Sequence, residues 1–161
     1  MVAGSFTEEC AVAVSAELLW KVAFADAWSV FLPKACAGFI DAVEIDGDGG
    51  PGSITTMKLN PAVGEATVFK TRVLAKDSAA RVLKTEVLEG GKVSAQLKSQ
   101  VMEVRVEPAG KGACLAKFTI EYERLDGAPL SPEDQATVAQ GYLGIVKKVE
   151  AYLVAHPEEY A

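Results

Sequence analysis

The feature that most constrains this chain is a change of period near residue 130. In Met102-Glu103-Val104-Arg105-Val106-Glu107 every second residue is apolar, and Ala116–Glu123 keeps the alternation over eight residues. A side-chain period of two marks strands with one buried face and one wetted face. Further on, Val138, Tyr142, Ile145, Val149 and Tyr152 recur at spacings of three and four, which makes one stripe of a helix. A one-sided sheet and a long amphipathic helix can each bury their apolar surface against the other.

The earlier sequence supplies the remaining elements. Ser5–Val14 reads as a strand, and Ser15 can cap a short helix over Ala16–Ala25 because its hydroxyl accepts from an orphan amide. A second short helix, Ala27–Phe31, is expected to stop near Pro33, which has no amide to donate. Strands are expected over Phe39–Ile45, Ser53–Leu59, Ala66–Lys76 and Arg81–Leu88. Turns at Lys76-Asp77-Ser78, Glu89-Gly90-Gly91 and Pro108–Gly112 join successive strands as in an antiparallel meander. Ser131 with Asp134 is a variant capping box, with Pro132 at the first helical position and the helix ending near His156-Pro157. Gly141 and Gly144 inside that helix each cost about 1 kcal/mol relative to Ala, and either admit a close neighbour or loosen the helix. The reading is an α+β fold, one domain over residues 1–161, with no internal repeat or linker.

Composition narrows the function classes. Half the residues are hydrophobic against 24% charged, the balance of a packed globule, and at 7% aromatics the interior must be largely Val, Ala, Leu and Ile. A net charge of −6 argues against DNA, against anionic membranes and against non-specific RNA binding. Cys10, Cys36 and Cys114 are odd in number and widely spaced, so free thiols in a reducing compartment are expected. The first nine residues lack the basic start and apolar run of a signal peptide, and no stretch nears the ~18 apolar residues of a membrane span. A cytoplasmic monomer is the expectation.

Individual motifs mostly read as structural. Gly47, Gly49, Gly50 and Gly52 make a glycine-rich loop, which cradles phosphate when it leads from a strand into a helix. Here Ser53–Met57 reads as a strand and no Lys-Ser/Thr pair follows, so a hairpin connection is expected. His156 is the only histidine and sits at a fraying helix end, so neither a histidine-based catalytic site nor zinc is expected. Lys147 and Glu150 fall outside the apolar arc and read as solvated charge, while Trp20 and Trp28 read as packing residues. No metal and no cofactor are implied.

Three segments then coincide with a known pattern. Glu44–Ile54 around the glycine loop, the turn Leu88-Glu89-Gly90-Gly91, and the ending Glu150–Tyr160 resemble plant pathogenesis-related class-ten proteins, the birch-pollen-allergen family. The resemblance covers essentially the whole chain. It implies a helix-grip fold, in which a seven-stranded antiparallel sheet curls around the C-terminal helix and two short helices close one end. It also implies an apolar cavity that accepts small apolar or amphipathic plant metabolites such as cytokinins, flavonoids and steroid-like compounds, in a cytosolic defence or stress protein acting as carrier or buffer.

Alternation places Met102, Val104, Phe118, Ile120 and Tyr122 on the inner face. The resemblance adds Leu59, Leu83 and Thr85, with Leu32 from the second short helix, and the last helix turns Tyr142, Ile145 and Val146 inward. Lys70 and Arg72 match family positions on the cavity side, where they would anchor an anionic or carbonyl-bearing ligand; alternation across Val68–Leu74 does not itself decide which face is buried. With Leu83 and Thr85 where relatives often carry tyrosines, more hydrophobic and less selective binding is expected.

Members of this family are often described as ribonucleases. Of the residues implicated, Glu150 and Tyr152 are present as a catalytic alternative acting on RNA, but Thr55 stands at the lysine position and Lys98 at the mid-sheet glutamate position. A second branch resembles norcoclaurine synthase, whose proton-relay positions hold Val68, Lys70, Leu83 and Met102 here. A third reading, a hormone-dependent interaction module, needs gate-loop sequences that this chain does not show.

Overall fold

The structure, a computed structural model, describes residues 4–24, 28–48, 50–61, 68–90 and 96–156. Expectations placed on Ala25, Ala27, Gly49, Ala66, Gly91, Pro157 and the Glu158–Tyr160 ending, and on the Trp28 side chain, lie outside them. The elements run β1 (Gly4–Val12), α1 (Ala16–Ala23), α2 (Trp28–Ala35), β2 (Ile40–Asp46) and β3 (Ile54–Leu59). Then follow β4 (Val68–Asp77), β5 (Val82–Glu89), β6 (Leu97–Pro108), β7 (Cys114–Arg124) and the long α3 (Pro132–Ala155).

All seven strands pair antiparallel in one sheet of order β1-β7-β6-β5-β4-β3-β2. The fold is therefore the expected seven-stranded sheet with two short helices and one long one. Sequential strands from β2 to β7 are neighbours, so short turns suffice, and β1 returns to the far side of β7. Both outermost strands carry exposed acidic residues, Glu8 and Glu9 on β1 and Asp41, Glu44 and Asp46 on β2, and charge on edge strands discourages edge-to-edge pairing.

Helix ends follow the sequence closely. Ser15 accepts from the Leu18 amide at 3.2 Å and Ser131 from the Asp134 amide at 3.1 Å, so each satisfies one first-turn donor. α2 differs from expectation, because it continues through Pro33 to Ala35. Proline there removes one backbone hydrogen bond, but Phe31 and Leu32 are almost wholly buried, and that packing holds the turn. β6 is also longer than its alternating core, since pairing with β7 runs from Leu97↔Arg124 to Pro108↔Cys114.

The sealed core lies where α1 and the C-terminal half of α3 meet the sheet. Leu19, Val22, Phe31, Val104, Ala116, Ile120 and Val149 are at most 0% exposed there. Cys10, Cys36 and Cys114 are buried and unpaired. Burial pushes the Cys36 and Cys114 thiols up to about 11, for Cys36 against the pull of Lys148, which keeps both protonated at neutral pH. Among the described residues, no helix is long and apolar enough to cross a membrane.

Candidate ligand-binding cavity

Strand register decides what faces α3. On β3 the inward residues are Thr55 and Met57, on β4 Phe69 and Thr71, and on β5 Leu83 and Thr85. Met102 of β6 and Phe118 of β7 continue the same face. Ala23 and Phe24 close one side from the end of α1, Leu32 from α2, and Tyr142, Ile145 and Val146 from α3. They surround a cavity of about 90 Å³. None of these lining residues carries a charge.

Tyr142 is the pivot of the wall. Its ring stacks on Phe118 (centroids 5.6 Å apart, 20° between planes) and meets Phe69 edge-on at 6.1 Å. Phe24 in turn approaches Phe118 edge-on at 6.5 Å. The Tyr142 hydroxyl accepts from the Gln100 amide at 3.4 Å. Burial, only partly offset by that hydrogen bond, holds the phenol far above its ordinary pKa, so Tyr142 presents a neutral hydroxyl.

Eight residues expected at the cavity come together there: Leu32, Leu83, Thr85, Met102, Phe118, Tyr142, Ile145 and Val146. Six do not line it. Lys70 and Arg72 lie on the other face of β4, because Thr71 between them is the buried residue and Arg72 is exposed. Arg72 pairs with Glu86 of β5 at 2.7 Å on that outer face, so neither cation is placed to anchor a ligand. Val104 and Ile120 have the right parity but sit further along their strands, in the sealed core. Tyr122 lies over Gly4 and its hydroxyl accepts from the Leu130 amide at 2.8 Å, so it fastens the approach to α3. Leu59, at the end of β3, packs against the core opposite Ile40.

Sequence reasoning missed Ala23, Phe24, Thr55, Met57, Phe69 and Thr71. Thr55 and Met57 share the parity of Leu59 and were therefore available from period two alone. Thr71 was hidden because it is itself polar and Lys70 and Arg72 flank it, so no alternation marks it.

Glu150 and Tyr152 do not converge. Two residues apart on a helix, they point roughly 160° from each other. Glu150 accepts the Ala13 amide at 2.7 Å and the Lys147 ammonium at 3.3 Å, while Lys147 also reaches the Ala11 carbonyl at 3.0 Å. This is a clasp between α3 and the end of β1, rather than the simple solvated charge expected of Lys147 and Glu150. Tyr152 instead packs edge-on against Phe31 at 5.4 Å and stacks with His156 at 4.2 Å.

The glycine loop connects β2 to β3, as a hairpin. Gly47 has φ 122°, and a Cβ there would meet the Ser53 side chain at 2.6 Å, so both conformation and space require glycine. Gly52 (φ 91°) donates to the Val73 carbonyl at 2.8 Å, while the Gly50 amide donates to the Asp48 carboxylate at 2.8 Å. The Gly50 amide and then the Ser53 hydroxyl hold that carboxyl below its ordinary value of 3.8. The Asp48 carboxylate thus takes up the Gly50 amide and the Ser53 hydroxyl, and the Gly52 amide is taken up by β4.

With this architecture described, the profile of the pathogenesis-related protein Bet v 1 family matches residues 1–156. The chain belongs to this family. It is 31% identical to pathogenesis-related protein 1 of Asparagus officinalis over 161 residues, covering 99% of both chains. It is 32% identical to pathogenesis-related protein 2 of Petroselinum crispum, covering 94% of this chain and 95% of that one. Among solved structures, Ara h 8.0201 superposes with a TM-score of 0.80 at 25% identity, covering 96% and 99% of the two chains. Norcoclaurine synthase from Thalictrum flavum, in complex with dopamine and hydroxybenzaldehyde, gives a TM-score of 0.70 at 27% identity, covering 96% and 88%.

Proposed function

We propose that this family member is a defence-related carrier or buffer, holding small, largely apolar plant metabolites in the cavity beneath α3. The supporting observation is the cavity lined by fourteen residues, none of them charged. Affinity would come from apolar area removed from water, about 25 cal/mol per Å², with a few polar groups fixing orientation. The Thalictrum flavum relative holds two small aromatic molecules on the same fold, which favours ligands of the same general size.

The candidate class includes cytokinins, flavonoids and sterols. Buried, protonated thiols suit a cytoplasmic setting, and charged edge strands suit a monomer. The chain acts as one domain in this reading. Titration with an apolar fluorescent probe, followed by displacement with that panel, tests it. Saturable one-to-one binding that the panel displaces is expected. A folded sample that binds no probe would reject the carrier role.

A further inference from the structure

Three hydroxyls stand in a row on the sheet side of the cavity. Thr55 of β3 and Thr71 of β4 are direct cross-strand partners. Thr71 opposes Val87 and Thr85 opposes Val73, so Thr71 and Thr85 are diagonal neighbours on adjoining strands. Strands lie about 4.8 Å apart, so the row spans roughly 10 Å. The three residues are 3%, 8% and 6% exposed, and all of them border the cavity. Their hydroxyls make no hydrogen bond among the described residues. None of the three hydroxyls is among the fully buried polar atoms left without a partner, so each keeps contact with open space. All three residues border the same uncharged cavity, where a ligand group could take up their free hydrogen-bonding capacity.

We propose that Thr55, Thr71 and Thr85 form a specificity row that selects uncharged aromatic ligands bearing a hydroxyl or carbonyl group. The inference rests on the carrier reading and adds the chemical class of the ligand. A threonine hydroxyl both donates and accepts, so it can satisfy either group. A carboxylate entering the cavity would give up its hydration with no cation to replace it, since Lys70 and Arg72 lie on the outer face. An ammonium group meets the same obstacle with opposite sign. Such a row would give more selectivity than Leu83 and Thr85 suggest from sequence.

Naphthalene, 2-naphthol and 2-naphthoate share one ring system and test the row at pH 7. Trp20, whose ring lies 5.9 Å from that of Phe24 in the cavity wall, gives a fluorescence readout. We expect 2-naphthol to bind about 10-fold tighter than naphthalene and about 100-fold tighter than 2-naphthoate. In a Thr55→Val, Thr71→Val, Thr85→Val variant, 2-naphthol should fall to the affinity of naphthalene, with naphthalene unchanged. The single Thr71→Val and Thr85→Val variants give the same comparison at lower folding risk, each with a partial loss. Equal binding of naphthalene and 2-naphthol by the wild-type protein overturns the row and leaves the carrier reading standing. A preference that survives all the valine substitutions overturns it too. Failure of all three compounds to bind overturns both.

Discussion

Along β6 and β7, neighbouring inward residues end in different surroundings. Val104, Ala116 and Ile120 are 0% exposed inside the sealed core, while Met102 and Phe118, one pleat away, border the cavity. The helix above divides in the same way. Its C-terminal half seats Val149 and Leu153 in the core and is clasped to β1 through Glu150 and Lys147. Its N-terminal half brings Tyr142 and Ile145 over the cavity and carries Gly141 and Gly144, beside which an added Cβ would meet nothing within 4 Å. What separates the regions is side-chain volume withheld. Where larger apolar groups could fill the space, β3, β4 and β5 present Thr55, Thr71 and Thr85.

Paired truncations test this contrast most strongly. Ile120→Ala in the sealed region should cost about 3–4 kcal/mol, because a cavity opens where contacts were complete. Ile145→Ala should cost about 1 kcal/mol, because that side chain already lacks neighbours on one side. Midpoints of urea unfolding measure both, and equal losses would erase the distinction between the regions. Next in size, Glu150→Ala strips the Ala13 amide of its acceptor and should cost about 1–2 kcal/mol. Probe affinity should stay within about 3-fold in that variant; a large affinity loss would mean that the clasp and the cavity are one unit. The smallest effect should be a gain, with Gly144→Ala stabilising by about 1 kcal/mol in thermal unfolding. Destabilisation would reveal a close neighbour and make the glycines packing devices.

How much of this could be read beforehand depended on which physical signal each residue carries. Alternation in β6 and β7, the serines at positions 15 and 131, and the stripe on α3 each express one local rule, and they located their elements within a few residues. Pro33 was misleading because burial of Phe31 and Leu32 outweighs one missing hydrogen bond. Period two assigns a face but not a position along the strand, so Val104 and Ile120 shared a prediction with Met102 and Phe118 despite different surroundings. In Val68–Leu74 apolar residues occupy both parities, and the face was settled by the Arg72–Glu86 pair across two strands. Thr55 and Thr71 are polar, and what buries them is distant in sequence, so their cavity role emerges only once β3, β4 and β5 are laid side by side.

The order of the strands has a mechanical consequence. β1 and β2 are the two ends of the sheet, yet they are consecutive strands in the chain, joined directly by the segment that holds α1 and α2. That segment therefore links the two margins of the sheet. In the carrier reading, a guest that moved the two margins apart would have to be accommodated along that one segment.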